Sequence, residues 1–302
     1  AMSVTPAQVT RHESEIGWWE MVSQAAAPRL RRHVLGYCGY EEETVGFTRR
    51  RELPSGEVTL IIGFGPKLET RYPELAADRT STQRSLVASL HETYCLVATP
   101  GNQAGIQVNL TPLGAHLLLA VPMHELTNRA VELDDLVGAD GDLLVEQLHD
   151  APDWQARFAI LDGVLLRRLG AARPASPDVA WAWRRLVETG GRLPVGELCA
   201  ELGCSRKHML RRFNEQIGVA PKTFARVLRF QRAVHMLGHR DGVSWIDERE
   251  LGAGRRMSWG EIALECGYFD QAHMNRDVRQ FAGATPGELV SRLLPDGGGL
   301  AG

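Results

Sequence analysis

The sequence contains few cysteines and no spacing that would pair them. The five are Cys38, Cys95, Cys199, Cys204 and Cys266, an odd number without a C-x-x-C pair. This spacing supports neither a disulfide framework nor a zinc or redox site. We therefore expect the thiols to act as small buried side chains in a reducing compartment, and we expect no metal and no cofactor.

Long apolar runs and targeting segments are also missing. No stretch approaches the ~18 apolar residues of a membrane span, and the N-terminus lacks a basic region followed by an apolar core. These absences predict a cytoplasmic protein with no membrane partner. The opening Ala1 and Met2 look like a cloning remnant, and we expect residues 1–13 to be disordered.

The chain carries none of the compact motifs of common enzymes. A nucleophile elbow, an H-E-x-x-H motif, a phosphate-cradling glycine loop and a dinucleotide fingerprint are all absent. His91, Glu92 and Cys95 lie close together, but such a trio within one strand-like segment is more typical of packing and surface than of catalysis. We therefore do not expect an enzyme.

Charge is distributed unevenly along the chain, whose formal net charge is -3. Residues 174–302 hold 18 basic and 15 acidic side chains, a net of +3, whereas residues 1–173 hold 16 basic and 22 acidic ones, a net of -6. Attraction to nucleic acid needs local rather than overall positive charge. The C-terminal part is thus compatible with DNA binding.

The first half of the chain reads as strands followed by helices. Three apolar, β-branched runs are typical of strands, at residues 58–62, 94–98 and 106–110. Turn-forming residues between the last two runs favour a hairpin. After Pro112 the apolar residues recur at helical spacing, and Asp153 is a suitable N-cap for a later helix.

The second half contains about seven helical segments and no convincing strand. Prolines 174 and 177 separate it from the first half and mark a domain boundary. The sequence therefore predicts an α+β protein, with a mixed β-then-α domain at 14–173 and an all-α domain at 174–294. Residues 295–302 include three consecutive glycines and are expected to form a flexible tail.

The all-α segment repeats itself. Two short stretches each place a small residue, Cys199 or Ala263, four positions before a glycine, Gly203 or Gly267. The small residue lets two helices approach closely, and the glycine adopts a turn conformation that other residues resist. This is the chemistry of a helix-turn-helix unit.

A second helix is predicted after each of these turns, and the two copies stay in register. Each has a polar N-cap, an apolar stripe on one face, a glycine after its end and a proline at the start of the next helix. These residues are Ser205, Met209, Phe213, Ile217, Gly218 and Pro221 in the first copy, and Asp270, Met274, Val278, Phe281, Gly283 and Pro286 in the second. One such unit is weak evidence for a helix-turn-helix, but two in register are strong evidence for a pair of them.

With these features, residues 178–294 resemble the DNA-binding domain of the AraC/XylS family of transcription regulators. The resemblance implies seven helices, with residues 220–237 as a long connector between two helix-turn-helix units. It also implies that the second helix of each unit enters the DNA major groove. The sequence departs from the family in its longer linker, 238–256, and in having Val278 where phenylalanine is common and Ala272 where serine is frequent.

Side-chain chemistry assigns roles to eight residues of the two predicted recognition helices. Arginine can bond bidentately to guanine, and glutamine to adenine, whereas other basic side chains suit phosphate. Base contacts are predicted for Lys207, Arg211, Gln271, Asn275 and Arg276, and phosphate contacts for Arg206, Arg212 and Arg279. His208 and His273 are expected to pack or cap.

The resemblance implies a ligand-sensing or dimerising domain before the DNA-binding part. Candidate pocket residues are the aromatics near the predicted strands, namely Trp18, Trp19, Tyr37, Tyr40, Phe47, Phe64 and Tyr94. Two alternatives remain open: an N-terminal domain that only oligomerises or binds a protein, and an enzyme with an appended DNA-targeting domain. Candidate partners are double-stranded DNA, a small-molecule effector, RNA polymerase and a second copy of the chain. The choice between activator and repressor stays open.

Overall fold

The protein is described by a computed structural model that covers residues 7–14, 17–44, 46, 48–75, 79–240, 257–293 and 299–301. Phe47 and most of the predicted linker lie outside the described residues, as does much of the predicted tail. No helix in the described part of the chain is long and apolar enough to cross a membrane.

Two antiparallel sheets face each other in the N-terminal half. The first has seven strands in the spatial order β1 (Gln8–Ser14), β2 (Gly17–Gln24), β3 (Val34–Thr44), β10 (Asn102–Leu110), β5 (Val58–Gly63), β8 (Leu86–Ala88) and β11 (Ala130–Glu132). The second has five, in the order β12 (Gly299–Ala301), β4 (Thr48–Glu52), β9 (Cys95–Thr99), β6 (Leu68–Tyr72) and β7 (Arg79–Gln83).

Helices complete both halves of the molecule. The N-terminal half adds α1 (Pro112–Leu119), the short 3-10 helix η1 (Met123–Glu125), α2 (Leu133–Val137), α3 (Asp140–Asp150) and α4 (Trp154–Ala171). The C-terminal half contains α5 (Pro177–Glu188), α6 (Val195–Glu201), α7 (Arg206–Ile217), α8 (Pro221–Arg240), α9 (Trp259–Glu265), α10 (Gln271–Ala282) and α11 (Pro286–Arg292). The predicted fold class, a β-then-α domain followed by seven helices, is confirmed.

The seven-stranded sheet has two different faces. Along β10, Ile106 and Val108 are fully buried and share one core with Phe158 and Leu161 of α4. Alternate residues of a strand point to opposite faces, so the intervening positions face the five-stranded sheet instead. Helix α4 begins as predicted, because the Asp153 carboxylate accepts a hydrogen bond of 2.8 Å from the Ala156 N–H.

The two halves share their hydrophobic cores. Leu90 and Leu113 of the N-terminal half pack into the core around α5, α6 and α7, and Leu53 packs into the core around α9, α10 and α11. Each helix-turn-helix unit therefore buries apolar surface from the β-domain, and the association is stabilised by the hydrophobic effect.

The predicted hairpin of residues 94–98 and 106–110 is wrong. Strand β9 pairs with β4 and β6 in one sheet, whereas β10 pairs with β3 and β5 in the other. The turn between them is occupied by Gly101, whose carbonyl accepts the N–H of Thr44 from β3. The chain thus crosses from one sheet to the other at this turn rather than folding back on itself.

Both ends of the chain also differ from expectation. Residues 8–13 belong to the segment 1–13 that was predicted as disordered, but they lie in β1, which pairs with β2 along its whole length. Part of the predicted flexible tail forms β12, which pairs with β4. Leu300 is only 1% exposed and packs in the same core as Leu53, so one apolar side chain anchors an otherwise glycine-rich segment.

Candidate functional site

Helices α7 and α10 are built alike. Both have 12 residues, and each starts at a side-chain cap, in which Ser205 accepts from the His208 N–H at 3.2 Å and Asp270 from the His273 N–H at 2.6 Å. Each ends at a glycine in the left-handed region, Gly218 with φ 106° and Gly283 with φ 59°. Glycine adopts this conformation at little cost in free energy, so the chain can turn sharply after each of the two helices.

The turns before these helices also follow the predicted chemistry. Gly203 and Gly267 have φ values of 61° and 82°, and the small residues Cys199 and Ala263 are buried. The predicted apolar stripes are confirmed as core, with all six side chains at 0% exposure: Met209, Phe213, Ile217, Met274, Val278 and Phe281. With one face buried, the other face of each helix is left to solvent.

That outer face carries most of the predicted DNA contacts. Six of the eight side chains are exposed: Arg206, Lys207 and Arg211 on α7, and Gln271, Arg276 and Arg279 on α10. Arg211 and Arg276 each occupy the sixth position of their helix. Asn275 is half-buried, and its side-chain oxygen is shielded from solvent without a hydrogen-bond partner.

Arg212 has a hydrogen-bond partner within the described part of the protein. It is half-buried, and its guanidinium donates to the hydroxyl of Ser176. The equivalent position of α10 is Asp277, which is 3% exposed and forms a salt bridge of 2.7 Å with Arg226 of α8. The seventh residue of each helix thus holds the helix against the rest of the protein, through a basic side chain in α7 and an acidic one in α10.

The two predicted packing histidines hold the same helices in place. The imidazole of His208 lies 3.3 Å from the carboxylate of Asp178 on α5. His273 accepts from the Phe269 N–H at 3.4 Å and stacks edge-on against Tyr268, with ring centroids 5.2 Å apart. Among the described residues, no group of three or more His, Cys, Asp or Glu side chains could hold a metal ion.

A second candidate site lies between the two sheets of the N-terminal half. It is a cavity of about 660 Å³, lined by strands of both sheets and, at one end, by α8 through Phe230, Gln231, Val234 and His235. A volume of this size suits a small organic molecule. Because α8 joins the two helix-turn-helix units, a molecule in the cavity would contact both halves of the protein.

The floor of this cavity is unusually polar for the inside of a β-sandwich. Gln103, Gln107 and Asn109 of β10 line it, and Gln107 donates to Asn109 at 2.8 Å. Thr59 of β5 lies beside Asn109 in the sheet register. Sequence reasoning missed these residues, although the alternation of polar and apolar side chains along 103–110 indicated a strand with two buried faces of different chemistry.

His91 and Cys95 line the cavity together with Tyr72, but both are kept neutral. The His91 ring lies 5.2 Å from the Tyr72 ring, and burial lowers its pKa to about 4. Burial raises the pKa of the Cys95 thiol to about 12. A nucleophilic cysteine needs a lowered pKa, so this pair does not have the electrostatics of a catalytic thiolate.

Comparison with known proteins gives a limited likeness. No family model matches the chain, and no curated protein matches it. The structure of ToxT from Vibrio cholerae O395 is similar with a TM-score of 0.43 at 10% identity, over 81% of this chain and 96% of that one. Wild-type ToxT from strain SCE256 with an unsaturated fatty acid bound has a TM-score of 0.42 at 11% identity, over 82% and 96%.

A third structure resembles only part of the chain. Vicilin from Capsicum annuum has a TM-score of 0.22 at 14% identity, over 33% of this chain and 30% of that one. TM-scores of this size do not establish a shared function. The arguments below therefore depend on the geometry of the protein itself.

The structure separates the predicted pocket aromatics into two groups. Trp19 and Tyr40 line the cavity. The remaining four described residues do not: Trp18 donates to Glu43, Tyr37 donates to Asp162 of α4, Phe64 packs near His149, and Tyr94 contacts Arg51. Tyr37 faces the helices rather than the cavity because it lies on the opposite face of β3 from Cys38 and Tyr40.

Residues of the β-domain also donate hydrogen bonds to the C-terminal ends of both α7 and α10. Thr127 donates to the Gly218 carbonyl at 2.7 Å. Arg51 of β4 donates to the Ala282 carbonyl at 2.6 Å and the Gly283 carbonyl at 3.1 Å, while its guanidinium lies 4.4 Å from the centre of the Tyr94 ring. A cation at a helix C-terminus is favourable because the last carbonyls lack partners within the helix.

Proposed function

We propose that the chain is a sequence-specific DNA-binding transcription regulator of the AraC/XylS type, controlled by a small molecule bound in its N-terminal cavity. The supporting observation is the matched pair Arg211 and Arg276. These arginines hold the same position on two equally long, equally capped helices, and neither has a partner within the described part of the chain. Unpaired guanidinium groups on paired helix faces suit bidentate contacts to guanine.

The surrounding side chains suit the remaining contacts. Lys207 and Gln271 would contact base edges, as would Asn275 once its shielded amide turned outward, and Arg206 and Arg279 would contact phosphate. Arg212 is left out of this interface, because its bond to Ser176 would have to break before it could reach DNA. The two helices would then read two separate groups of base pairs.

The cavity favours an effector over an N-terminal domain that only brings subunits together. A domain used purely for association has no need of a polar cavity. Here Gln103, Gln107 and Asn109 face a partly open cavity large enough for a small molecule. The contact of that space with α8 supplies a route by which occupancy affects DNA binding.

The DNA-binding part is tested by a binding-site selection with the full chain. Arg276→Ala should relax the preference for one base pair and weaken binding to the selected site by roughly 1–3 kcal/mol. Arg279→Ala should instead weaken all sequences alike and lower the salt dependence of binding. Arg184→Ala, which removes an exposed arginine of α5, serves as the control and should change neither. Unchanged base preference in Arg211→Ala and Arg276→Ala together would refute the proposed contacts.

A further inference from the structure

The cavity between the sheets has an acidic lining. Its lining presents three carboxylates, those of Glu42, Glu52 and Glu57, against one permanent cation among the described residues, Arg50. Arg50 forms a salt bridge of 2.7 Å with Glu52. Glu20 and Glu41 are opposite each other in the register and lie on the other face of the sheet, where Glu20 pairs with Arg11. With the Arg50–Glu52 pair formed, Glu42 and Glu57 leave the lining with a negative excess, which would attract a cation and repel an anion.

Glu57 is the carboxylate of most interest, because it lies where the cavity meets α8. The N–H of the preceding Gly56 is bonded to Gln231 of α8 at 2.9 Å. Among the described residues, the Glu57 carboxylate has no salt bridge and no hydrogen bond, and burial alone raises its pKa. A sheltered carboxylate without a partner is unfavourable unless a cation or donor approaches it.

An independent observation also indicates a ligand site. Ser89 lines the same cavity and is only 1% exposed, yet its hydroxyl has no hydrogen-bond partner among the described residues. The nearby Tyr72 hydroxyl has only the Cys95 thiol, a weak hydrogen-bonding group, beside it. Buried polar groups in native proteins are nearly always satisfied, so the Ser89 hydroxyl points to a molecule that completes its hydrogen bonds.

We propose that this cavity binds an amine with an aromatic body, its ammonium group paired with Glu57 and its polar edge hydrogen-bonded to Ser89. The apolar part would lie against Tyr72 and against Phe230 of α8, which line the cavity. A carboxylate ligand would face the negative lining, and a neutral alcohol would leave Glu57 without its counter-charge. This inference rests on the proposed function, because it names the class of the effector.

The test compares three probes that differ only in one terminal group. Tryptamine, indole-3-ethanol and indole-3-propionate share the ring and the chain but end in an ammonium, a hydroxyl and a carboxylate. Their binding to the full chain is measured by isothermal titration calorimetry and thermal unfolding, since a ligand of the native state raises apparent stability. We expect the amine to bind and the other two to bind weakly or not at all.

Variants then locate the ammonium group. Glu57→Gln should weaken tryptamine binding by about 10- to 100-fold, the loss typical of a charged hydrogen bond. Glu57→Asp keeps the charge and should retain the preference for the amine. Glu69→Gln makes the same chemical change at an exposed position of β6 and should leave binding unchanged.

Several results would overturn the proposal. These are the absence of tryptamine binding, equal binding of the alcohol or the carboxylate, and full tryptamine affinity in Glu57→Gln. None of these measurements uses DNA, so the outcome is separable from that of the binding-site selection. Selective DNA binding without amine binding would refute only the ligand class, and amine binding without DNA binding would refute only the regulator.

Discussion

Acid should destabilise this protein through His91, and the size of the effect follows from its surroundings. The folded pKa is about 4 because the ring is buried, whereas an unfolded histidine has a pKa of about 6.5. Because the folded pKa is depressed, the unfolded chain takes up the proton first as pH falls. The stabilisation is therefore fully present above the unfolded pKa and is lost as pH falls towards the folded pKa.

The expected loss can be calculated from these two pKa values. Their difference corresponds to ~3 kcal/mol in total, of which about 2 kcal/mol disappears between roughly pH 7 and pH 5. Carboxylates titrate in the same range, so the assay needs a comparison that cancels them. The free energy of unfolding is measured in urea across this pH range for the wild type and for His91→Gln.

The free energy of unfolding of the wild type, relative to His91→Gln, should fall by about 2 kcal/mol over that range. His124→Gln, which changes an exposed histidine of η1, is the matched control and should show no such trend. If the difference between wild type and His91→Gln stayed constant with pH, His91 would not be held neutral by burial. The described arrangement of Tyr72 and His91 would then be wrong.

Two further predictions concern the anchoring of α10. Asp277→Ala leaves Arg226 without its buried partner and should lower the free energy of unfolding by about 3–5 kcal/mol. The double variant Arg226→Met with Asp277→Leu replaces both charges and should recover most of that loss. A double variant less stable than Asp277→Ala would contradict this account. Arg51→Ala removes two hydrogen bonds to the end of α10 and should cost about 1–3 kcal/mol in urea unfolding, and stability equal to the wild type would show that these bonds contribute nothing.

The C-terminal half was predictable because its determinants are local. The caps Ser205 and Asp270, the apolar stripes and the glycines that end α7 and α10 all act within about one helix length of each other. Helical periodicity and cap chemistry can therefore be read directly from the sequence. Arg212 illustrates the limit of this reading, since only the packing of Ser176 against α7 turns it away from solvent.

The N-terminal half was harder to predict because strand pairing is non-local. Strands β9 and β10 are neighbours in sequence, yet they lie in different sheets and pair with strands far along the chain. Even β12 comes from the opposite end of the chain to reach β4. Trp19 and Tyr40 line the cavity, but nothing in the sequence distinguished them from Tyr37, which faces the helices.

Strand β4 contributes both to the cavity between the sheets and to the contact with α10. Arg50 and Glu52 line the cavity, while Arg51 between them holds the end of α10. A displacement of this strand by a bound molecule would carry α10 with it, whereas α7 is held elsewhere, through Thr127. In the regulator proposed above, an effector would therefore change the distance or angle between α7 and α10, and so the spacing of the half-sites that the two helices could occupy together.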